Sequence, residues 1–366
     1  MAKKKERIDI KAEIREEFGD VIISGRELMD KEREIFSVGP ALDIALGGGI
    51  PAGCIVMCAA KEKFGKTYTA LQAAKNWQER FPQGTVWHID AEARLRDRNV
   101  AGVIGLDMDR FDVIRSQGAT KNFGANILYG EKLLNIAKKL LFSEPYAFVI
   151  IDSLSAICPE SEMIDAPSAT IRAAGPKLVA NFLRQVKEAI PLNHCILWSI
   201  HQMYMNTSGY GKHWLIDGGS KIKYCSDVCL TQRYPDRKLN YYPDEDAPDG
   251  QEIEWHVDFS ACGPPNRNAI SYLKYGHGID DQREVMELAT SVGIIQKNKA
   301  WYNYGDQKFH GKDKVYEALN NDHAFYLEVY DKVKEVFGCE SQTSKDTDTS
   351  GDTKAEAKEK PQKDTK

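Results

Sequence analysis

Apolar and polar positions fall into two alternating patterns along the middle of the chain. Short β-branched and apolar runs, CIVMC, TVWHID, FDVIRS, AFVIID and CILWSI, recur between residues 54 and 200. Long connections separate them, two with clear helical periodicity, which predicts parallel strands joined by crossovers. Three further runs, DVCLTQ, EIEWHVDF and AISYLKYG, follow at closer spacing and read as an antiparallel meander. After the first run, Ala70, Leu71, Ala74 and Trp77 stand at helical spacing and give one apolar face to pack on the sheet. The fold class is therefore α/β, a mainly parallel central sheet with an added meander.

The two ends read differently. IKAEIREEF forms a charged helix, and the Val21, Ile22 and Ile23 that follow are either an edge strand of the chain's own sheet or an arm that adds to a neighbour. After Gly278 a second unit begins. Val285, Leu288, Ala289 and Val292 make a helical stripe, GIIQKNKAWYNYG resembles a small hairpin, and two more helical patterns run to Phe337. From Glu340 the tail has almost no apolar side chains to offset its ordering entropy, so disorder is expected there. The expected boundaries are an arm over 1–35, a core over 36–278, a small α+β domain over 279–338 and a tail over 339–366.

Composition narrows the class. The 366 residues can hold one domain of about 250 residues plus a smaller one. No apolar run approaches the ~20 residues of a membrane span. The N-terminal lysines precede no apolar stretch, so export is not expected and the cytoplasm is the expected location. A net charge of -5 argues against a uniformly basic nucleic-acid coat while allowing a local basic groove. The cysteines form no C-x-x-C pair; Cys225 and Cys229 lie in an apolar segment without a nearby histidine and read as small buried hydrophobes rather than zinc ligands.

Candidate chemistry begins after CIVMC. Ala60, Lys61, Glu62, Lys63, Phe64, Gly65, Lys66, Thr67 and Tyr68 join a strand to a helix through a loop ending in Gly-Lys-Thr. Such a loop cradles phosphate: backbone N–H groups face the anion, Lys66 reaches the terminal phosphates and the Thr67 hydroxyl ligates Mg2+. Ala60 stands where the first glycine is expected. Its Cβ would resist a positive φ but costs little in an extended conformation. Asp152, ending AFVIID, supplies the second carboxylate that the metal's water shell needs. Hydrolysis also needs a group to orient the attacking water. Asp90 and Glu92 both qualify, and alternation along the strand leaves the choice open.

The motifs together resemble the RecA-type strand-exchange recombinases, the family that includes phage UvsX, over about residues 20 to 337. SVGPALDIALGGGIPAG resembles the approach to the phosphate loop, WHIDAEARL the segment with the catalytic glutamate, FVIIDSLSAI the metal-binding strand and LWSIHQM the strand ending in a γ-phosphate-sensing glutamine. DGGSKIKYCSDVCL resembles the end of the second DNA-binding loop, and KAWYNYGDQKFHGKDKVYEAL the C-terminal domain. The resemblance implies a DNA-dependent ATPase using ATP and Mg2+, with Lys66, Glu92 and Gln202 as its catalytic and sensing residues. It implies a helical filament of copies of the chain on single-stranded DNA, exchange into homologous double-stranded DNA, and single-strand-binding and mediator proteins as accessory partners.

DNA contacts are expected from two loops. The first, near Glu160 to Gly175, holds Arg172 and leads into a helix with Lys177 and Arg184 on one face. The second, Met203 to Gly219, is too long and polar for a packed connection; it offers Tyr210, Lys212, Gly218 and Gly219, with Trp214 facing DNA or packing on the protein's own surface. Val21, Ile22 and Ile23, with Lys223 and Tyr224, fall where the family places its subunit interface.

The chain also departs from the bacterial pattern. Phe259 and Ala261 stand where a pair of lysines reaches the neighbour's ATP, leaving Arg267 as the nearest cation. Arg96 and Asn99 lie near the family's adenine-holding positions, and the tail lacks a strong acidic excess. Ala60 and the missing lysine pair favour the alternative of a catalytically weak paralogue that binds DNA as a filament or mediator protein, and the intact Lys66, Thr67, Glu92, Asp152 and Gln202 oppose it. A ring helicase with the same core is disfavoured, because few residues precede the loop and the C-terminal unit resembles that of recombinases.

Overall fold

The apolar runs lie side by side in one eleven-stranded sheet. The computed structural model describes residues 9–30, 33–116, 128–164, 174–208, 210–211, 213–217, 220–243 and 246–339. A short antiparallel pair, β1 (Ile35–Phe36) and β2 (Ile50–Pro51), precedes the main sheet. That sheet comprises β3 (Cys54–Ala60), β4 (Thr85–Asp90), β5 (Phe111–Arg115), β6 (Ala147–Asp152), β7 (Ile196–Met205), β8 (Trp214–Ile216), β9 (Val228–Gln232), β10 (Asn240–Tyr242), β11 (Gly250–Phe259), β12 (Arg267–Lys274) and β13 (Gly278–Ile279). Strands β5, β4, β6, β7, β3 and β9 run parallel in that spatial order, followed by antiparallel β11, β12 and β13. β8 pairs with the end of β7, and β10 with β11.

Every residue of β3 is buried, as a central parallel strand covered on both faces requires. One cover is the helix Lys66–Arg80, whose Ala70, Leu71, Ala74 and Trp77 are fully buried. Trp77 meets Phe36 edge-on at 5.1 Å. The helices Gly130–Ser143 and Ala174–Val186 cover the other face, where Leu133, Ala137, Leu141, Phe182 and Leu183 join Val149 and Ile151 of β6 in one core.

Two expectations change. DVCLTQ, expected in the antiparallel meander, forms β9 and lies parallel to β3. The chain between β7 and β9 includes β8 and the helix Ser220–Cys225, long enough for a crossover, whereas periodicity reports which face a residue takes and not strand direction. Val21 to Ile23 form no strand: they connect the helices Ile10–Phe18 and Gly25–Asp30, with Val21 and Ile23 exposed, and the sheet edges are β5 and β13. Attachment to the core begins at Arg33, whose guanidinium donates to Ala261 O at 3.4 Å, and continues at Glu34, whose carbonyl accepts from Ala52 N at 2.7 Å and whose carboxylate accepts from Tyr146 Oη at 2.9 Å.

The chain divides into two compact units between Asp280 and Asp281. The second consists of the helix Asp281–Ser291, the antiparallel strands β14 (Gln296–Asn298), β15 (Trp301–Tyr304) and β16 (Gln307–His310), and the helices Lys312–Asn321 and His323–Phe337. The expected hairpin is thus extended by a third strand. Val285, Ala289, Val315, Leu319, Val329 and Val333 are buried in this unit. The tail from residue 340 lies outside the described residues.

Candidate functional site

The phosphate loop sits at the carboxyl end of β3, in the middle of the main sheet, and open α/β sheets bind ligands at the carboxyl ends of their strands. Ala60 is the last residue of β3, fully buried and paired in register with Gln202 of β7. Its conformation is extended, so it needs no glycine. The left-handed positions are Lys63, at φ 59°, and Gly65, at φ 84°. A Cβ on Gly65 would fall 2.5 Å from Ile253 Cδ1, so that glycine is fixed by both backbone and space. The loop is tied down from outside its own sequence. Lys61 N donates to Gln232 Oε1 at 3.1 Å, Gln251 Nε2 donates to Lys63 O at 3.1 Å, and the buried Phe64 ring meets Trp255 edge-on at 5.5 Å.

Lys66 opens the helix, its Nζ donating to Ala60 O at 2.9 Å and Lys61 O at 2.7 Å. Burial holds its pKa below the usual lysine value. Thr67 Oγ1 donates to Asp152 Oδ2 at 2.6 Å, bringing the two expected metal-site residues into contact. Burial pushes the Asp152 carboxyl up to about 6, against the opposing hydrogen bond from Thr67. A largely buried carboxylate touching a hydroxyl fits a hard cation that keeps most of its water and takes phosphate oxygens, as Mg2+ does. Among the described residues no group of three or more His, Cys, Asp or Glu could hold a metal.

The two candidate base carboxylates separate cleanly. Asp90, level with Asp152 in the sheet, is buried, and its oxygens accept from the backbone N–H groups of Arg94 at 3.0 Å and Leu95 at 3.1 Å. It shapes the loop that leaves β4. Glu92 turns into the site: its Oε1 accepts from Ser153 Oγ at 2.7 Å and from Gln202 Nε2 at 2.9 Å. Arg94 Nη1 lies 3.5 Å from the other oxygen and 3.2 Å from Glu62 of the phosphate loop.

From Gln202 the chain runs into a β-ribbon. Met203, Tyr204 and Met205 pair with Ile216, Leu215 and Trp214. The segment expected to be unpacked is therefore ordered over its described residues, because β7 simply continues past the sheet. Trp214 takes the packed alternative, with its Nε1 donating to Asp236 at 2.8 Å and its ring beneath Lys61 Nζ at 5.3 Å. Lys61 belongs to the phosphate loop, so that loop and the ribbon touch. Tyr204, Met205 and Tyr210 remain exposed on the ribbon.

Lys177 and Arg184 lie exposed on the helix Ala174–Val186, opposite its buried Val179, Leu183 and Val186. Arg172, Lys212, Gly218 and Gly219 lie outside the described residues. Tyr224 is exposed, whereas Lys223 is engaged with Asp258 at 2.9 Å. Arg267 donates to Ile44 O at 3.2 Å and is thereby held on the core. Asn99 accepts from Arg96 N at 3.0 Å and caps the helix Asp97–Ala101. The sequence reading did not identify Arg94, Ser153, Gln232 and Gln251 as parts of the site. Only Arg94, two residues beyond the glutamate on a strand exit, carries a local signal.

Residues 8–280 match the RecA N-terminal domain family, and residues 283–338 match the RecA C-terminal domain family. Curated relatives called Protein RecA include that of Ruegeria pomeroyi, 28% identical over 92% of this chain and 93% of the relative. The Protein RecA of Bordetella avium is 29% identical over 87% of each chain, and that of Bordetella pertussis 28% identical over 89% of this chain and 88% of the relative. With the N-terminal profile spanning well over half of the sequence on a mainly parallel sheet of the expected kind, the chain belongs to the RecA family of DNA-dependent ATPases.

Proposed function

We propose that this recombinase binds ATP with Mg2+ at Ala60–Tyr68 and forms a filament on single-stranded DNA. In that filament it pairs the bound strand with a homologous duplex and exchanges strands. Lys66 takes the terminal phosphates, Thr67 and Asp152 hold the Mg2+ shell, and Glu92 orients the attacking water and accepts its proton. When bound, Mg2+ supplies charge neutralisation at the phosphate oxygens. Gln202 carries the state of the site to the ribbon. The observation that bears most weight is the 2.9 Å hydrogen bond from Gln202 to Glu92, because Gln202 is also where β7 leaves the sheet and becomes the ribbon.

DNA contacts are assigned to the exposed Tyr210, to Lys177 and Arg184 of the helix Ala174–Val186, and to Arg172, Lys212, Gly218 and Gly219, which lie outside the described residues. Aromatic and cationic groups together suit single strands, where bases stack and phosphates pair with charge. Val21 to Ile23 and Tyr224 are the proposed filament contacts, and the exposure of Val21, Ile23 and Tyr224 supports this. Lys223 would have to leave Asp258 to take part.

The test is a pairing assay: purified protein, a single strand, and either a homologous or an unrelated duplex. Joint molecules that need ATP, Mg2+ and homology support strand exchange. Filament formation on the single strand without joint molecules would instead favour a DNA-binding or mediator role.

A further inference from the structure

We propose that Arg94 recognises the terminal phosphate of the bound nucleotide, a role that rests on reading Ala60–Thr67 as the phosphate cradle. Glu62, Glu92 and Asp152 lie close enough to Lys66 for their charges to work against the lowering of its pKa by burial. Asp90 is occupied by two backbone N–H groups. A triphosphate brings more negative charge to the site than a diphosphate does.

Arg94 is placed to offset that charge. Its Nη1 lies 3.2 Å from Glu62 on the phosphate loop and 3.5 Å from Oε2 of Glu92, so it spans the two sides of the site. The Asp90 hydrogen bonds and the left-handed Ala93, at φ 55°, set where its backbone stands. The side chain itself is 68% exposed and Glu62 64%, and ion pairs so open to water hold weakly. A phosphate offers the guanidinium two parallel charge-assisted hydrogen bonds and so competes with them.

Glu92 identifies which phosphate. Its Oε1 is filled by Ser153 and Gln202, leaving Oε2, the oxygen beside Arg94, for the attacking water. Arg94 therefore stands at the end of the cradle where the terminal phosphate is attacked. Its transfer to that phosphate frees Oε2 to accept the proton of the water whose oxygen forms the new bond to phosphorus, while the bond to the diphosphate leaving group breaks.

Binding of fluorescent ADP and of a fluorescent non-hydrolysable ATP analogue, each with Mg2+, tests this in wild type, Arg94→Ala, Arg94→Lys and Lys66→Ala. Loss of one charge-assisted contact predicts that Arg94→Ala weakens the triphosphate ~10 to 100-fold. ADP affinity stays within about twofold, since no contact to it is removed, and Arg94→Lys recovers part of the loss. Equal weakening of both nucleotides, or of neither, overturns the proposal. Lys66→Ala should lose both. If it binds both as wild type does, the cradle reading itself fails, and the Arg94 role with it.

Discussion

Asp90 and Glu92 stand two residues apart on one strand exit, yet their surroundings give them different work. Asp90 satisfies two backbone N–H groups in a buried setting, so Asp90→Ala should destabilise the protein by about 2 to 4 kcal/mol in urea denaturation. Glu92→Gln should shift stability by less than about 1 kcal/mol while lowering DNA-stimulated kcat at least ~100-fold. The reverse pattern would exchange their roles. His201 offers a second test at this scale. Its ring is fully buried, with Nδ1 3.3 Å from Asp217 O and Nε2 3.1 Å from Ser199 Oγ, and burial pushes its pKa down to about 4. The unfolded chain takes up this proton near the ordinary value of 6.5 and the folded chain does not, so stability is lost as pH falls from 6.5 toward 4. Asp152 acts in the opposite sense, because its carboxyl, raised to about 6, binds a proton more readily when folded. The difference between wild type and His201→Asn isolates the histidine, which should account for on the order of 3 kcal/mol across that window. Equal pH dependence in the two proteins would contradict the assignment.

Trp214 ties the far strand of the ribbon to the phosphate loop and to Asp236. The Lys61 to Trp214 cation–π contact is worth roughly 0.5 to 1 kcal/mol at an exposed site, and Asp236 adds one hydrogen bond to the indole. Trp214→Ala should therefore speed hydrogen exchange over residues 203–217 and leave the core strands unchanged; unaltered exchange would mean that the latch does not hold the ribbon. The sequence made the strands, the helix after the phosphate loop and the Gly65 position legible, because each depends on local periodicity or local conformation. It did not reveal the ribbon, since a polar run rich in glycine has the same composition whether or not it pairs. Nor did it give the direction of β9, or the support of Lys61 and Lys63 by Gln232 and Gln251, which are some 170 and 190 residues away in sequence. Ala60 looked like a defect only because its strand register with Gln202 is invisible in one dimension.

At the scale of the whole molecule, the described N-terminal segment exposes Ile10, Phe18, Val21, Ile23, Leu28 and Met29. None of the first 30 residues is buried where described, so this apolar surface awaits a partner, which the proposed filament supplies as a second copy. Removing residues 1–30 should leave ATP affinity within about twofold while abolishing assembly beyond small oligomers in sedimentation experiments. Large assemblies from the truncated chain would place the interface elsewhere. Among the described residues no helix is long and apolar enough to cross a membrane. At all three scales the proposed function needs a phosphate loop that works with Ala60 and is linked through Glu92 and Gln202 to DNA. The most direct measurement is ATP hydrolysis with and without single-stranded DNA, for wild type, Lys66→Ala and Glu92→Gln. Stimulation by DNA in wild type, lost in both variants, is the predicted result. Salt-sensitive DNA binding with turnover no higher than in the variants would contradict it.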